Sequence, residues 1–258
     1  MLVALHGFTG GGDDFAPLAK ALPEWEWHTP DLPGHAPDLA TVGAPKDGCS
    51  LNASMEYLDT VIPKKAVNPT ILLGYSLGGR LALKYALARP GRVAALVLIG
   101  STAGIIDATE RQQRRTEDER LAVKILTDGV KAFLDDWQRH PLIASQARLP
   151  ADWRAAMRER REHLRAEGLA ASLREFGQGV VEPSWSRLGK LRLPVLICAG
   201  AEDEKYAALA KKMVMECPQA KLFIVPGAGH MAHLENLPAF AAGLRTFLVK
   251  NRLDSKLK

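Results

Sequence analysis

Residues 70–88 read TILLGYSLGGRLALKYALA: a short apolar run, the turn Gly74-Tyr75-Ser76-Leu77-Gly78, and a segment of helical pattern. A Gly-x-Ser-x-Gly turn between a strand and a helix forces its serine into a tight elbow. The small neighbours let the backbone bend, so the hydroxyl stands clear. The start of the following helix offers free N–H groups and the positive end of its dipole, both favourable to developing negative charge. Ser76 is therefore the candidate reactive hydroxyl. The plainer reading of the same five residues is a helix start capped by a serine.

Working outward, the same rhythm recurs. Leu2 to Leu5, Trp25 to His28, Thr70 to Leu73, Val93 to Ile99, Val195 to Ala199 and Leu222 to Val225 are short aliphatic or β-branched runs ending near Gly, Pro or Asp. Helical segments are expected near Asp13 to Ala21, Leu51 to Ile62, Leu77 to Ala88, Tyr206 to Cys217 and Pro238 to Val249. Such alternation predicts an α/β fold built on a mainly parallel sheet. The rhythm breaks once, from about Ile105 to Trp185, where charged amphipathic helical pattern carries Trp137, Trp153 and Trp185 without a convincing strand. This reads as a helical insertion and divides the chain into a core of 1–104 and 187–258 and a cap of 105–186. The Lys-rich end KNRLDSKLK is expected to fray.

The chain has 258 residues, 47% apolar and 24% charged, which is a globular composition with material for a sizeable core. No apolar run approaches the roughly 18 residues of a membrane span. The N-terminus MLVALHGFTG lacks the pattern of a secretory signal. Three scattered cysteines, Cys49, Cys198 and Cys217, argue against a disulfide framework and for a reducing compartment, which places the protein in the cytoplasm. The net charge is +5, yet between Ser101 and Lys190 there are 16 Lys and Arg interleaved with 14 Asp and Glu. A nucleic-acid-binding face wants a one-signed patch, so no nucleic-acid partner is expected. The informative bias is arginine: 12 of the 19 lie between Arg111 and Arg174, and a guanidinium grips a carboxylate through two parallel bonds.

A serine hydroxyl reacts poorly until an imidazole takes its proton and a carboxylate orients that imidazole. Asp203, in AGAEDEKY, and His230, in PGAGHMAH, each follow a strand, where open α/β sheets bind ligands. Glu202 and Glu204 compete with Asp203, and His233 with His230. Asp203 is favoured because a short carboxylate suits a tight turn, and His230 because it sits where the glycine turn leaves the strand. A metal site from His230, His233 and Glu235 lacks the spacing of zinc helices, and neither a metal nor an organic cofactor is expected. After the first strand, Leu5-His6-Gly7-Phe8-Thr9-Gly10 frees backbone amides. Those of Phe8 and Leu77 are the expected oxyanion donors. Arg80, one helical turn beyond Ser76, should face the same cleft and needs an anionic partner.

Together HGFTG, DLPGH, GYSLGGR, the Asp after a strand and the late GH resemble the α/β-hydrolase superfamily. GYSLGGR with FLDDWQRHPLIAS, GLAASLREFGQGVVEPSW, AGAEDEKYAALAKKM and GHMAHLE resembles, more narrowly, its menaquinone-pathway lyases, which eliminate pyruvate from a polycarboxylate cyclohexene. The resemblance implies Ser76, Asp203 and His230 as triad, Tyr75 and Arg80 beside a small polycarboxylate substrate, and Arg114, Trp137 and Arg161 reaching it from the cap. In one departure from the superfamily's pattern, the chain begins at the HGF strand, so the two leading strands that many members carry are expected to be missing from the sheet. On a helical wheel Trp153, Met157, Arg160 and Leu164 form one stripe, and Arg154, Arg158, Arg161 and Arg165 its polar flank. The wheel thus turns Arg160 inward, whereas the resemblance selects Arg161.

Overall fold

Strands that are apolar on both faces must be covered on both. The computed structural model describes residues 1–36, 48–62 and 70–253. Its strands are β1 (Leu2–Leu5), β2 (Trp27–His28), β3 (Ile71–Tyr75), β4 (Ala95–Ile99), β5 (Val195–Gly200) and β6 (Ala220–Val225). They form one sheet of order β2-β1-β3-β4-β5-β6, parallel at every pairing. The strand expected from Trp25 begins only at Trp27; the Trp25 indole instead donates to the Leu253 carbonyl at 3.0 Å.

The helices are α1 (Ala16–Ala21), α2 (Leu51–Val61), α3 (Leu77–Ala88), α4 (Ala108–Trp137), α5 (Ala151–Glu162), α6 (Ala166–Phe176), α7 (Glu204–Glu216), α8 (Ala232–Glu235) and α9 (Leu237–Lys250). The helix expected over Asp13 to Ala21 is divided into a 3-10 turn, Gly12–Phe15, and α1, whose first turn holds Pro17. Proline has no N–H to continue a preceding helix but suits the start of a new one. Of the end expected to fray, Lys250 closes α9 and the Leu253 N–H donates to the Leu248 carbonyl at 2.9 Å, so these residues are held; residues 254–258 lie outside the described residues.

Side-chain alternation separates two cores. Val3, Leu5, Leu72, Leu96, Leu98 and Ile197 pack with residues of α2, α3 and α7. Leu2, Ala4, Ile71, Leu73, Val97 and Cys198, one residue out of step, pack with residues of α1 and α9. The period of two puts alternate residues on opposite faces. All three cysteines are free and buried. Among the described residues no helix is long and apolar enough to cross a membrane.

Between β4 and β5 the chain forms α4, α5 and α6 with no strand. Ala122, Ile125, Phe133, Leu134, Leu164, Leu169, Ala170 and Leu173 make a third core there. Leu164 lies beyond the end of α5, so it reaches this core from the following turn and not from the helical stripe expected of it. Helix α4 is bent at Gly129, whose φ of 81° suits glycine. Lys124 and Asp136 form an ion pair across the bend. In a straight helix residues twelve apart are separated by about 18 Å. The bend delivers Phe133 and Trp137 to the glycine loop after β1, where both rings meet Phe8 edge-on, with centroids at 6.2 and 5.9 Å.

Leu72 is fully buried at the middle of the strand that leads to Ser76. Leu72→Ala should cost roughly 2–5 kcal/mol of unfolding free energy, measured by denaturant titration; a change below about 1 kcal/mol would contradict this packing.

Candidate active site

In a parallel sheet all carboxyl ends lie on one edge, and β1 to β2 and β3 to β4 are laid down in opposite directions from the centre. The resulting crevice beside β1 and β3 is where open α/β sheets bind ligands. Ser76 leaves β3 there with φ 51° and ψ −107°, a left-handed backbone rare for a side-chain-bearing residue. Small neighbours make this possible. A Cβ on Gly79 would come within 2.6 Å of Ser101 Cβ, and one on Gly78 would collide with the Leu5 and His6 carbonyls. The elbow is pinned by Ser76 N–H donating to the Ile99 carbonyl at 2.9 Å and by Ser101 Oγ donating to the Ser76 carbonyl at 3.1 Å.

Asp203 follows β5 and His230 follows β6, so both arrive on the same edge. Ser76 Oγ and His230 Nε2 are 3.1 Å apart, and His230 Nδ1 lies 2.6 Å from Asp203 Oδ2. The carboxylate can only accept, so Nδ1 carries the imidazole proton and Nε2 is left to accept from the serine. Asp203 Oδ1 also accepts from Tyr206 N–H at 3.1 Å, capping α7. His230 is 2% and Asp203 9% exposed, which strengthens the pair electrostatically and restrains the ring. The competing Glu202 instead pairs with Arg148 at 2.6 Å. Glu204 is the exposed first residue of α7.

His233 lies in α8, its ring stacked on Phe15 at 5.2 Å and tilted against Tyr75 at 4.9 Å. Both of its ring nitrogens are buried without a partner. His230, His233 and Glu235 do not gather as three ligands; among the described residues no such cluster of three exists.

Gly7 brings the β1 loop against the elbow: a Cβ there would be 2.8 Å from Tyr75 Cε1 and 3.4 Å from Ser76 Cβ. Among the described residues neither the Phe8 nor the Leu77 amide meets a backbone acceptor. His6 anchors this loop, accepting from Leu32 N–H through Nε2 at 2.8 Å and donating from Nδ1 to the Gly7 carbonyl at 2.8 Å. Tyr75 is buried, and burial raises its phenol pKa.

The arginines divide by partner. Arg80 donates to the Phe176 carbonyl at 2.9 Å and lies over the Phe176 ring at 5.1 Å, but its Nε is buried and unpartnered. The anionic partner expected for it is not an internal one: among the described residues no acid lies within ion-pair distance. Burial pushes its pKa down to about 10, with Arg114 adding to the fall and Tyr206 and Asp118 opposing it. Arg114 does have a partner, donating from Nε to the buried Asp118 at 2.8 Å.

Both inward candidates on α5 turn toward the core. Arg160 reaches Asp14 at 3.6 Å and the Thr9 carbonyl at 3.5 Å, bracing the glycine loop. Among the described residues Arg161 meets only the amide oxygen of Gln146, at 3.3 and 3.4 Å, and its buried Nε has no partner. Burial lowers the Arg161 pKa, against the opposing influence of Asp14 and Tyr75. Their flank neighbour Arg158 is tied to Asp135 and Glu162. Trp137 stacks on Phe133 at 5.6 Å and is tilted against His140 at 5.0 Å. Sequence reasoning missed His140, whose pKa is lowered by partial burial and then by Arg114 and His230. Only its place beside Trp137 in the chain could have pointed to it. Gln146 was missed as well.

A parallel sheet with a serine elbow, a buried imidazole and a carboxylate on successive strand ends defines a class. The chain belongs to the alpha/beta hydrolase fold family, whose model matches residues 1–237. Its relatives are narrower. It is 31% identical to the 2-succinyl-6-hydroxy-2,4-cyclohexadiene-1-carboxylate synthase of Serratia proteamaculans, with 96% of this chain and 92% of that one covered. A Bacillus subtilis protein provisionally given the same name is 36% identical, over 96% and 89% of the two chains. The structure of MenH from S. aureus superposes with a TM-score of 0.91 at 30% identity, covering 97% and 94%.

His6, His35 and His233 are buried, and burial pushes the pKa of each down to about 3. Unfolded imidazoles titrate near pH 6.5, so the folded chain binds fewer protons between those values. Stability from this source is whole above about pH 6.5 and drains as the pH falls toward 3. At pH 5 each histidine should account for about 2 kcal/mol of the loss. His233→Phe, which keeps the stacking and removes the titration, should flatten the fall in melting temperature between pH 7 and 5. An unchanged pH slope would refute the assignment.

Proposed function

We propose that this chain is a carbon–oxygen lyase of menaquinone biosynthesis. Its substrate is 2-succinyl-5-enolpyruvyl-6-hydroxy-3-cyclohexene-1-carboxylate, and it releases pyruvate and 2-succinyl-6-hydroxy-2,4-cyclohexadiene-1-carboxylate. The observation that carries the reading is a pair of inward-turned guanidiniums, Arg80 and Arg161, without carboxylate partners among the described residues, beside a hydrogen-bonded Ser-His-Asp line. Unpaired buried cations are costly, and a polycarboxylate guest relieves that cost where a neutral ester cannot. The printed names of the relatives support the same chemistry.

In the mechanism, His230 Nε2 takes the Ser76 proton while Asp203 steadies the imidazolium. The serine oxygen removes a proton from a ring carbon of the bound substrate. The C–H electron pair moves through the ring as the double bond shifts, and the C–O bond to the enolpyruvyl group breaks. The departing enolate takes up a proton and becomes pyruvate. The Phe8 and Leu77 amides stabilise the charge that builds on a carbonyl oxygen. Tyr75, Arg80, Arg114, Trp137 and Arg161 bind the guest, with Arg114 sharing its charge with Asp118. No metal or organic cofactor enters this scheme, and serine forms no acyl-enzyme. Residues 105–186 serve as the specificity-giving cap on a core of 1–104 and 187–258. The setting is cytoplasmic, with a small polycarboxylate as partner and neither nucleic acid nor membrane.

Purified protein given the enolpyruvyl substrate should release pyruvate, followed in a coupled assay. Ser76→Ala should lose at least about a thousandfold of that rate. Absence of Ser76-dependent pyruvate, together with rapid turnover of neutral esters, would establish a serine hydrolase instead. Arg80→Ala should cost roughly 2–5 kcal/mol in kcat/KM; a near-wild-type value would remove Arg80 from the site.

A further inference from the structure

Glu235 is a carboxylate whose side chain is 1% exposed, and it lies outside the triad. A buried carboxylate persists only when donors surround it. Here there are four. Its Oε2 accepts from the Gly229 amide at 2.8 Å and from Arg148 Nη2 at 3.1 Å. Its Oε1 accepts from the Met231 amide at 3.0 Å and from Ser145 Oγ at 2.9 Å. Gly229 and Met231 are the residues on either side of His230, so the two amides flanking the imidazole-bearing residue are held by one side chain.

The other two donors come from the cap. Ser145 packs so close to Gly229 that a Cβ there would come within 2.7 Å of Ser145 Cβ. Arg148 uses its second nitrogen, Nη1, to hold Glu202 at 2.6 Å, next to Asp203. The Glu202 amide in turn donates to the Ala228 carbonyl at 2.9 Å. A single guanidinium thus spans the loop that carries the acid and the loop that carries the imidazole.

We infer that Glu235 is a positioning residue for His230, fixing the backbone on both sides of it, and that Ser145 and Arg148 make the cap part of that support. The inference rests on the Ser76-His230-Asp203 reading above but not on the identity of the substrate. Glu235 touches no reacting atom. It acts through the 3.1 Å contact between His230 and Ser76, which a small shift of the loop would lengthen. It should therefore govern the rate of activating the hydroxyl and leave the binding of carboxylates by the arginines alone.

Glu235→Gln keeps the shape but puts an NH2 group where one of the carboxylate oxygens meets its donors. Two readouts apply: turnover of the enolpyruvyl substrate, and the rate at which a fluorophosphonate labels Ser76, which needs only the triad. Labelling and kcat should both fall by about tenfold, with KM changing less than about twofold and the folded circular dichroism spectrum retained. Arg148→Ala should slow labelling less, and adding it to Glu235→Gln should slow labelling little further, because both act through one contact. A folded Glu235→Gln that labels at the wild-type rate overturns the inference, as does a rise in KM with unchanged kcat. If Glu235→Gln fails to fold, the Ser145→Ala/Arg148→Ala double variant is read in the same way: slowed labelling supports the inference and a wild-type rate overturns it. Slowed labelling of Glu235→Gln in a protein whose wild type releases no pyruvate would sink the lyase reading and leave the role of Glu235 standing.

Discussion

The left-handed backbone of Ser76 is the constraint on which the rest of the structure depends. With φ at 51° the chain turns from strand to helix in a single residue, so the hydroxyl points out of the sheet edge and the next amide begins a helix. That turn exists only because Gly78 and Gly79 let α3 press against β1 and against Ser101. The cost of such a conformation is on the order of 1–3 kcal/mol, small against the burial of the β3 and β4 side chains but concentrated on one residue. Once the elbow is fixed, parallel strand order brings the loops after β5 and β6 to the same edge, and the imidazole needs no further movement to face the hydroxyl.

The second theme is charge left uncompensated within the fold. Most arginines of the cap are answered by an acid: Arg158 by Asp135 and Glu162, Arg174 by Glu119, Arg114 by Asp118. Arg80 and Arg161 are turned inward and, among the described residues, answered only by neutral oxygens. A protein tolerates such groups where a ligand completes them; under the proposed function the guest does so for Arg80 and Arg161, while Arg114 shares its charge between Asp118 and the guest.

Much of this was legible in the chain. Short apolar runs punctuated by Gly and Pro marked β1, β3, β4 and β5, because a strand buried on both faces has no polar residue to disguise it; the edge strands β2 and β6, which carry His28 and Lys221, were found with less accurate bounds. The motif around Ser76 was legible because its glycines answer to steric need at close approach. Other features were not. The wheel turned Arg160 inward and the resemblance selected Arg161, and both are turned inward; only the position of Asp14, far away in sequence, distinguishes them. The bend at Gly129 was missed because a lone glycine in a charged helical pattern is commonly tolerated. The support of the His230 loop by Glu235 was invisible because two of its four partners belong to a segment some 90 residues earlier.

Phe8 makes the two halves of the molecule inseparable in one respect. Its backbone belongs to the turn beside Ser76, while its ring is wedged among Phe133, Trp137 and His35. Peptide and ring share one Cα, so a remodelling of that aromatic cluster that moves the ring further than its two side-chain torsions absorb would also shift the turn next to the elbow. The aromatic cluster and the first turn of the chain are thereby tied through a single residue, and diversification of the one is limited by what the other will tolerate.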